Sequence, residues 1–184
     1  MTRTIMASVV IMCSLPASGL AQEPEKSIKD LNFLIGAWRG EATLSYPREV
    51  NRNARSETVE AECRYILKET YIQCDTAWTR EDGDTRTFRL HFNYNSLDHA
   101  YQTLFIYDNW PRQVSYLLAY DAKAGVYAGQ SDFEDSEGVS GQERIFWRVS
   151  EDGNEIHSEE YNHLETEPVD YWPKYFEFVW RKIQ

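Results

Sequence analysis

The 184-residue chain carries a formal net charge of −11, with 30 Asp and Glu against 19 Lys and Arg. An acidic chain without a basic run repels nucleic acid and anionic membrane surfaces, which excludes partners of those kinds. The length suits one domain, and six Trp, twelve Tyr and eight Phe give that domain ample apolar surface.

Arg3 precedes a largely apolar stretch over 5–15, which Pro16, Ser18 and Gly19 interrupt, and Gly19-Leu20-Ala21 puts small residues where a signal peptidase reads them. This is the pattern of a secretory signal peptide over 1–21, and it leaves 22–184 as one folded domain of an exported protein, periplasmic or secreted. The stretch is too short to cross a hydrocarbon core of about 30 Å as a helix, so no transmembrane segment is expected. Cys13 follows Met12 rather than a small residue, which argues against a lipid-modified cysteine.

Next, 25–34 places Ile28, Leu31 and Leu34 three apart, with Phe33 beside them, Ser27 as a cap and Gly36 as a stop. A short amphipathic helix is predicted there. From Trp38 the apolar period falls to two. Strands are predicted over 38–46, 57–67, 70–79, 85–95, 100–107, 113–120, 126–133, 143–149, 155–161 and 175–182, separated by turns such as Asp82-Gly83-Asp84 and Asp152-Gly153-Asn154. The loops 47–56 and 162–173 are longer and polar, as rim loops are. The fold class is therefore all-β: an antiparallel up-and-down β-barrel of about 8–10 strands with a short N-terminal helix, because closing so long a sheet removes its edges. A β-sandwich is the alternative.

With a two-residue turn at Lys68-Glu69, Cys63 faces Cys74 and Ile66 faces Tyr71. Directly opposed residues lie close enough for a disulfide, and export supplies the oxidising compartment. The alternation sorts other strands into faces without saying which is inward. Phe88, Leu90, Phe92 and Tyr94 oppose Arg89, His91 and Asn93. Val114, Tyr116, Leu118 and Tyr120 share a face, and Ile145, Trp147 and Val149 oppose Arg144, Phe146 and Arg148. Phe176, Phe178 and Trp180 oppose Glu177, Val179 and Arg181.

The run Leu31-Asn32-Phe33-Leu34-Ile35-Gly36-Ala37-Trp38-Arg39-Gly40-Glu41-Ala42 resembles the opening of calycin-type barrels, which include lipocalins, fatty-acid-binding proteins and nitrobindin-like proteins. Their shared element is a short helix or turn followed by Gly-x-Trp at the first strand. Arg39-Gly40-Glu41 and Tyr46-Pro47 look nearer to the nitrobindin-like proteins and to uncharacterised secreted bacterial barrels than to true lipocalins. The resemblance implies a Trp plugging one end and a basic residue, here Arg181 beside Trp180, packing over it. It also implies a ligand inside the barrel. Nitrobindin-like proteins hold haem through a histidine near the C-terminus. The last strand here has none, the nearest being His163 and His157, so no cofactor is expected.

Ligand-contact candidates are Trp38, Arg89, His91, Tyr116, Arg144, Arg148, Trp180 and Arg181, the aromatics as cavity lining and the cations as carboxylate binders if their faces turn inward. His157, Glu159, Tyr161 and His163 share a strand face; two histidines and a glutamate suit zinc, but a solvated acidic face explains them as well and no metal is expected. No nucleophile elbow, His-Glu-x-x-His or phosphate loop occurs. The expected function is binding of a small hydrophobic or amphiphilic molecule in the barrel. The alternatives are an isomerase, cyclase or lyase using His91, His157 or Glu159, and a filled barrel acting through surface aromatics at Trp110-Pro111 or Tyr171-Trp172-Pro173.

Overall fold

The computed structural model describes residues 26–108, 113–135 and 137–183. The 1–21 stretch expected to be a signal peptide, with Cys13, and Trp110-Pro111 lie outside the described residues. Ser27 caps a 3-10 helix over Ile28–Leu34, shorter than the 25–34 helix predicted. The cap is reciprocal: Ser27 Oγ accepts from the Lys29 amide (3.2 Å), and Asp30 Oδ2 accepts from the Ser27 amide (2.9 Å).

Among the described residues ten strands follow: β1 (Gly36–Leu44), β2 (Arg55–Ile66), β3 (Tyr71–Arg80), β4 (Thr85–Asn95), β5 (Ala100–Tyr107), β6 (Gln113–Asp121), β7 (Val126–Glu134), β8 (Ser140–Val149), β9 (Glu155–Leu164) and β10 (Lys174–Lys182). Each pairs antiparallel with the next, and β1 pairs with β10, so the sheet is a closed barrel rather than a sandwich. The closing seam runs from Trp38 opposite Lys182 to Leu44 opposite Phe176. It requires Gly40, where a Cβ would lie 1.9 Å from the Val179 carbonyl oxygen. Cys63 and Cys74 pair in the expected register, as do Ile66 and Tyr71, and the cysteines form a disulfide.

Closure decides the inward face. The Phe88, Tyr116, Ile145 and Phe178 faces point in, and buried Trp38, Phe92, Trp147, Phe178 and Trp180 fill one half of the lumen with touching rings. The 3-10 helix plugs that end. Trp38 Nε1 donates to the Leu34 carbonyl (2.7 Å), Tyr101 donates to Asp30 Oδ2 (2.7 Å), and Leu31 and Leu34 are buried. Gly36, at φ 122°, makes the turn from helix into β1, where a residue with a Cβ is strained. The loops after β1, β3 and β9 gather at the opposite end.

Candidate functional site

At that opposite end the inward positions turn from apolar to polar. Glu143 on β8 continues the inward series Ile145, Trp147 by one step, and Glu160 on β9 continues Ile156, Ser158. Glu143 faces Asn162 and Glu160 faces Ile145, so the two glutamates are diagonal neighbours on one inner wall. They are only 7% and 6% exposed. Their side chains hydrogen-bond each other, which requires a proton between them, and Tyr116 hydrogen-bonds Glu143. The Tyr175 hydroxyl donates to Glu160 Oε2 (2.8 Å). A register shift between Lys174 and Phe176 lets both Tyr175 and Phe176 reach inward, Phe176 packing on Trp78 (5.4 Å between rings).

Burial pushes the Glu160 carboxyl well above the ordinary carboxylate range, and the charge of Glu143 adds to it. Burial also raises Glu143, against the hydrogen bonds from Tyr116 and Glu160. Two adjacent carboxylates in a dry wall cannot both ionise without a cation beside them, so the pair retains a proton. The Tyr107 and Tyr116 hydroxyls are raised by burial first and by these two glutamates second.

Across the lumen, Glu57 on β2 sits under three guanidiniums. Arg86 donates to its Oε2 from Nε (3.0 Å) and from a terminal nitrogen (2.5 Å), while Arg55 (3.1 Å) and Arg80 (3.5 Å) approach Oε1. Between the two clusters the open end holds a cavity of about 950 Å3, lined by Arg86, Tyr107, Val114, Phe133, Glu143 and Tyr175 among others. Its rim is tied by Arg48 of the β1–β2 loop, which bonds Glu167 (2.5 and 2.7 Å) and Asn162 (2.6 Å). The loops 47–56 and 162–173 are thus rim loops. A cleft of about 840 Å3 over β1 to β4 includes Arg39, Glu60, Asp75 and Arg89. Its charged residues neutralise one another at Arg39–Glu60 and Arg89–Asp75, so the barrel mouth is the stronger candidate.

Of the residues singled out in the sequence, Trp38, Tyr116 and Trp180 project inward, and Tyr116 reaches the glutamate pair. Trp38 and Trp180 belong to the filled half. Arg89, His91, Arg144, Arg148 and Arg181 are on the outer wall and do not line the cavity at the mouth. Arg148 pairs with Glu159 (2.6 Å), Arg181 with Glu155 (2.9 Å), and Arg144 stacks on Trp172 (3.6 Å to the ring centre). The position over Trp38 that the resemblance assigns to Arg181 is held by Lys182, which lies 5.2 Å from the ring centre and bonds the Phe33 carbonyl.

His91 is kept less basic by burial and by Arg89. His157, Glu159 and Glu177 bring ligand atoms within 4.8 Å of one another on the outer wall. Arg148 and Lys174 already occupy Glu159, whose carboxyl is held low chiefly by Arg148. His163 instead stacks on Trp172 (5.1 Å) and bonds the Tyr171 carbonyl. His99 is exposed in the β4–β5 turn. None of the four histidines enters the lumen. Among the described residues no helix is long and apolar enough to cross a membrane.

Glu143 and Glu160 carry the site, and residue type alone did not mark them. The signal was there for Glu143, which extends the apolar alternation of Ile145 and Trp147; Glu160 follows Ile156 and Ser158, where the alternation is weaker.

No family model matches the chain, and no curated protein does. Among solved structures the chain is similar to Rv2717c from M. tuberculosis, with a TM-score of 0.63 over 85% of this chain and 97% of that one, at 11% sequence identity. At that identity the likeness is one of fold.

Proposed function

We propose that this protein is an exported carrier or receptor that holds a small amphiphilic molecule in the open half of its barrel. The observation that carries the reading is the cavity of about 950 Å3, in which an apolar and aromatic wall converges on one buried carboxylate pair. Leu44, Tyr107, Val114, Phe133 and Tyr175 supply its apolar side and charged and polar residues the rest, a two-sided lining that suits an amphiphile. The disulfide between Cys63 and Cys74 supports export, since such bonds persist in oxidising compartments. Gly36 at the turn and Trp38 as the plug of the closed end support kinship with calycin-like barrels.

The test is native mass spectrometry of the protein purified from its own envelope fraction, followed by organic extraction. A stoichiometric small molecule is expected, and Val114→Trp, which fills the mouth, should lose it. An apo mass that stays unchanged after incubation with a lipid panel overturns the reading.

One observation favours a second reading, an enzyme on the same barrel. Glu143 stands at the cavity wall and its carboxyl is raised by burial, with buried Glu160 behind it, which suits general acid–base catalysis on a bound ligand. Chemical change of the extracted ligand on incubation with wild type but not with Glu143→Gln is the sign of it.

A further inference from the structure

The charges around the cavity select the ligand's polar end. On the lining the acids include Glu143 on the wall with Asp132 and Asp135 at the rim, and the single cation among the described lining residues is Arg86. Arg86 is already bound in two places to Glu57. Facing Glu143 are Glu160 from β9, Tyr116 from β6 and, through Glu160, Tyr175 from β10, with Tyr107 of β5 nearby. These partners supply hydroxyls and a second acid, but no cation. The glutamate pair therefore meets its charge by keeping a proton, a stand-in for a positive group. The rings of Tyr107, Phe133 and Tyr175 flank the same space and can offer their faces to a cation.

We propose that the cavity binds an amphiphilic organic cation, a protonated amine on an apolar body, with its ammonium against Glu143. This rests on the cavity being a ligand site and names the chemistry of its ligand. The proton balance is simple. The amine enters as R–NH3+, the proton shared by Glu143 and Glu160 leaves to solvent, and the pair goes from one negative charge to two, the second balanced by the ammonium. One proton is released per ligand bound. Affinity therefore rises with pH, about tenfold per unit, while the free pair is protonated and the amine remains charged. An anionic ligand meets the opposite field and is rejected.

The experiment is isothermal titration of the full barrel with decylamine, decanol and decanoate, each below its micelle concentration, at pH 6 and pH 7 in two buffers of different ionisation enthalpy. Decylamine is expected to bind at least tenfold more tightly than decanol at pH 7, with one proton released and affinity increasing about tenfold from pH 6. In Glu143→Gln decylamine should bind no more tightly than decanol, and the pH dependence should vanish. Arg181→Gln, on the outer wall, should change neither. If Glu143→Gln does not fold, the wild-type proton count still decides. Decanoate binding as tightly as decylamine, or amine binding without proton release, overturns the proposal. Decanol binding as well as decylamine overturns the proposal and leaves the ligand-barrel reading standing. If none of the three binds, both fall.

Discussion

The proton retained between Glu143 and Glu160 is a cost to folding that a single isosteric change should remove. In the unfolded chain a glutamate releases its proton near pH 4.3. Burial raises both carboxyls in the folded protein, Glu160 the more strongly, so above that pH the folded state binds more protons than the unfolded one. Stability then falls as pH rises, by about 1.4 kcal/mol per unit for one retained proton, for as long as the folded pair keeps it. Glu160→Gln keeps the side-chain shape. Its amide oxygen accepts from Tyr175 and its nitrogen donates to Glu143, so the hydrogen bonds remain while the proton requirement goes.

The variant should gain on wild type as pH rises from 5 to 7, by up to about 1.4 kcal/mol per unit, the full linkage of one proton. Urea denaturation of both proteins at pH 5, 6 and 7, followed by tryptophan fluorescence, measures this. His91, held below its ordinary value, contributes with the opposite sign, because protonation in the unfolded chain costs stability as pH falls. Asp75 and Glu159, held low, lose their contribution only at acid pH. All three are common to both proteins and cancel in the difference. A flat difference curve, or a variant less stable than wild type at pH 7, refutes the shared-proton argument.

Gly40→Ala should prevent closure, because its Cβ would meet the Val179 carbonyl 1.9 Å away; loss of soluble protein or of the cooperative thermal transition is the expected result. Glu57→Gln leaves three guanidiniums without their shared carboxylate. Because the arginine side chains keep 16–30% exposure, the loss should be about 3 kcal/mol, the low end for a broken buried pair, read by urea midpoint at constant slope. Removing the disulfide with Cys63→Ala and Cys74→Ala together frees a loop with sequence separation 11. It should cost about 3 kcal/mol under non-reducing denaturation, and wild type in reductant should show the same loss.

By itself the sequence determined the strands, the hairpin register and the disulfide. A period of two is a local property, and the turn at Lys68-Glu69 sets which residues of β2 and β3 face each other. It also determined that Arg144 and Arg148 share one face and Ile145 and Trp147 the other. Only the tertiary structure decided that the second face is the inner one, because inward is defined by β1 meeting β10, at the two ends of the described domain. The same closure separates Glu159, held on the outside by Arg148, from its neighbour Glu160, buried against Glu143. Glu143 and Glu160 are far apart in the chain and meet through the β8–β9 register. Their shared proton is a consequence of burial and of a like-charged neighbour. Neither exists until the barrel has closed around them.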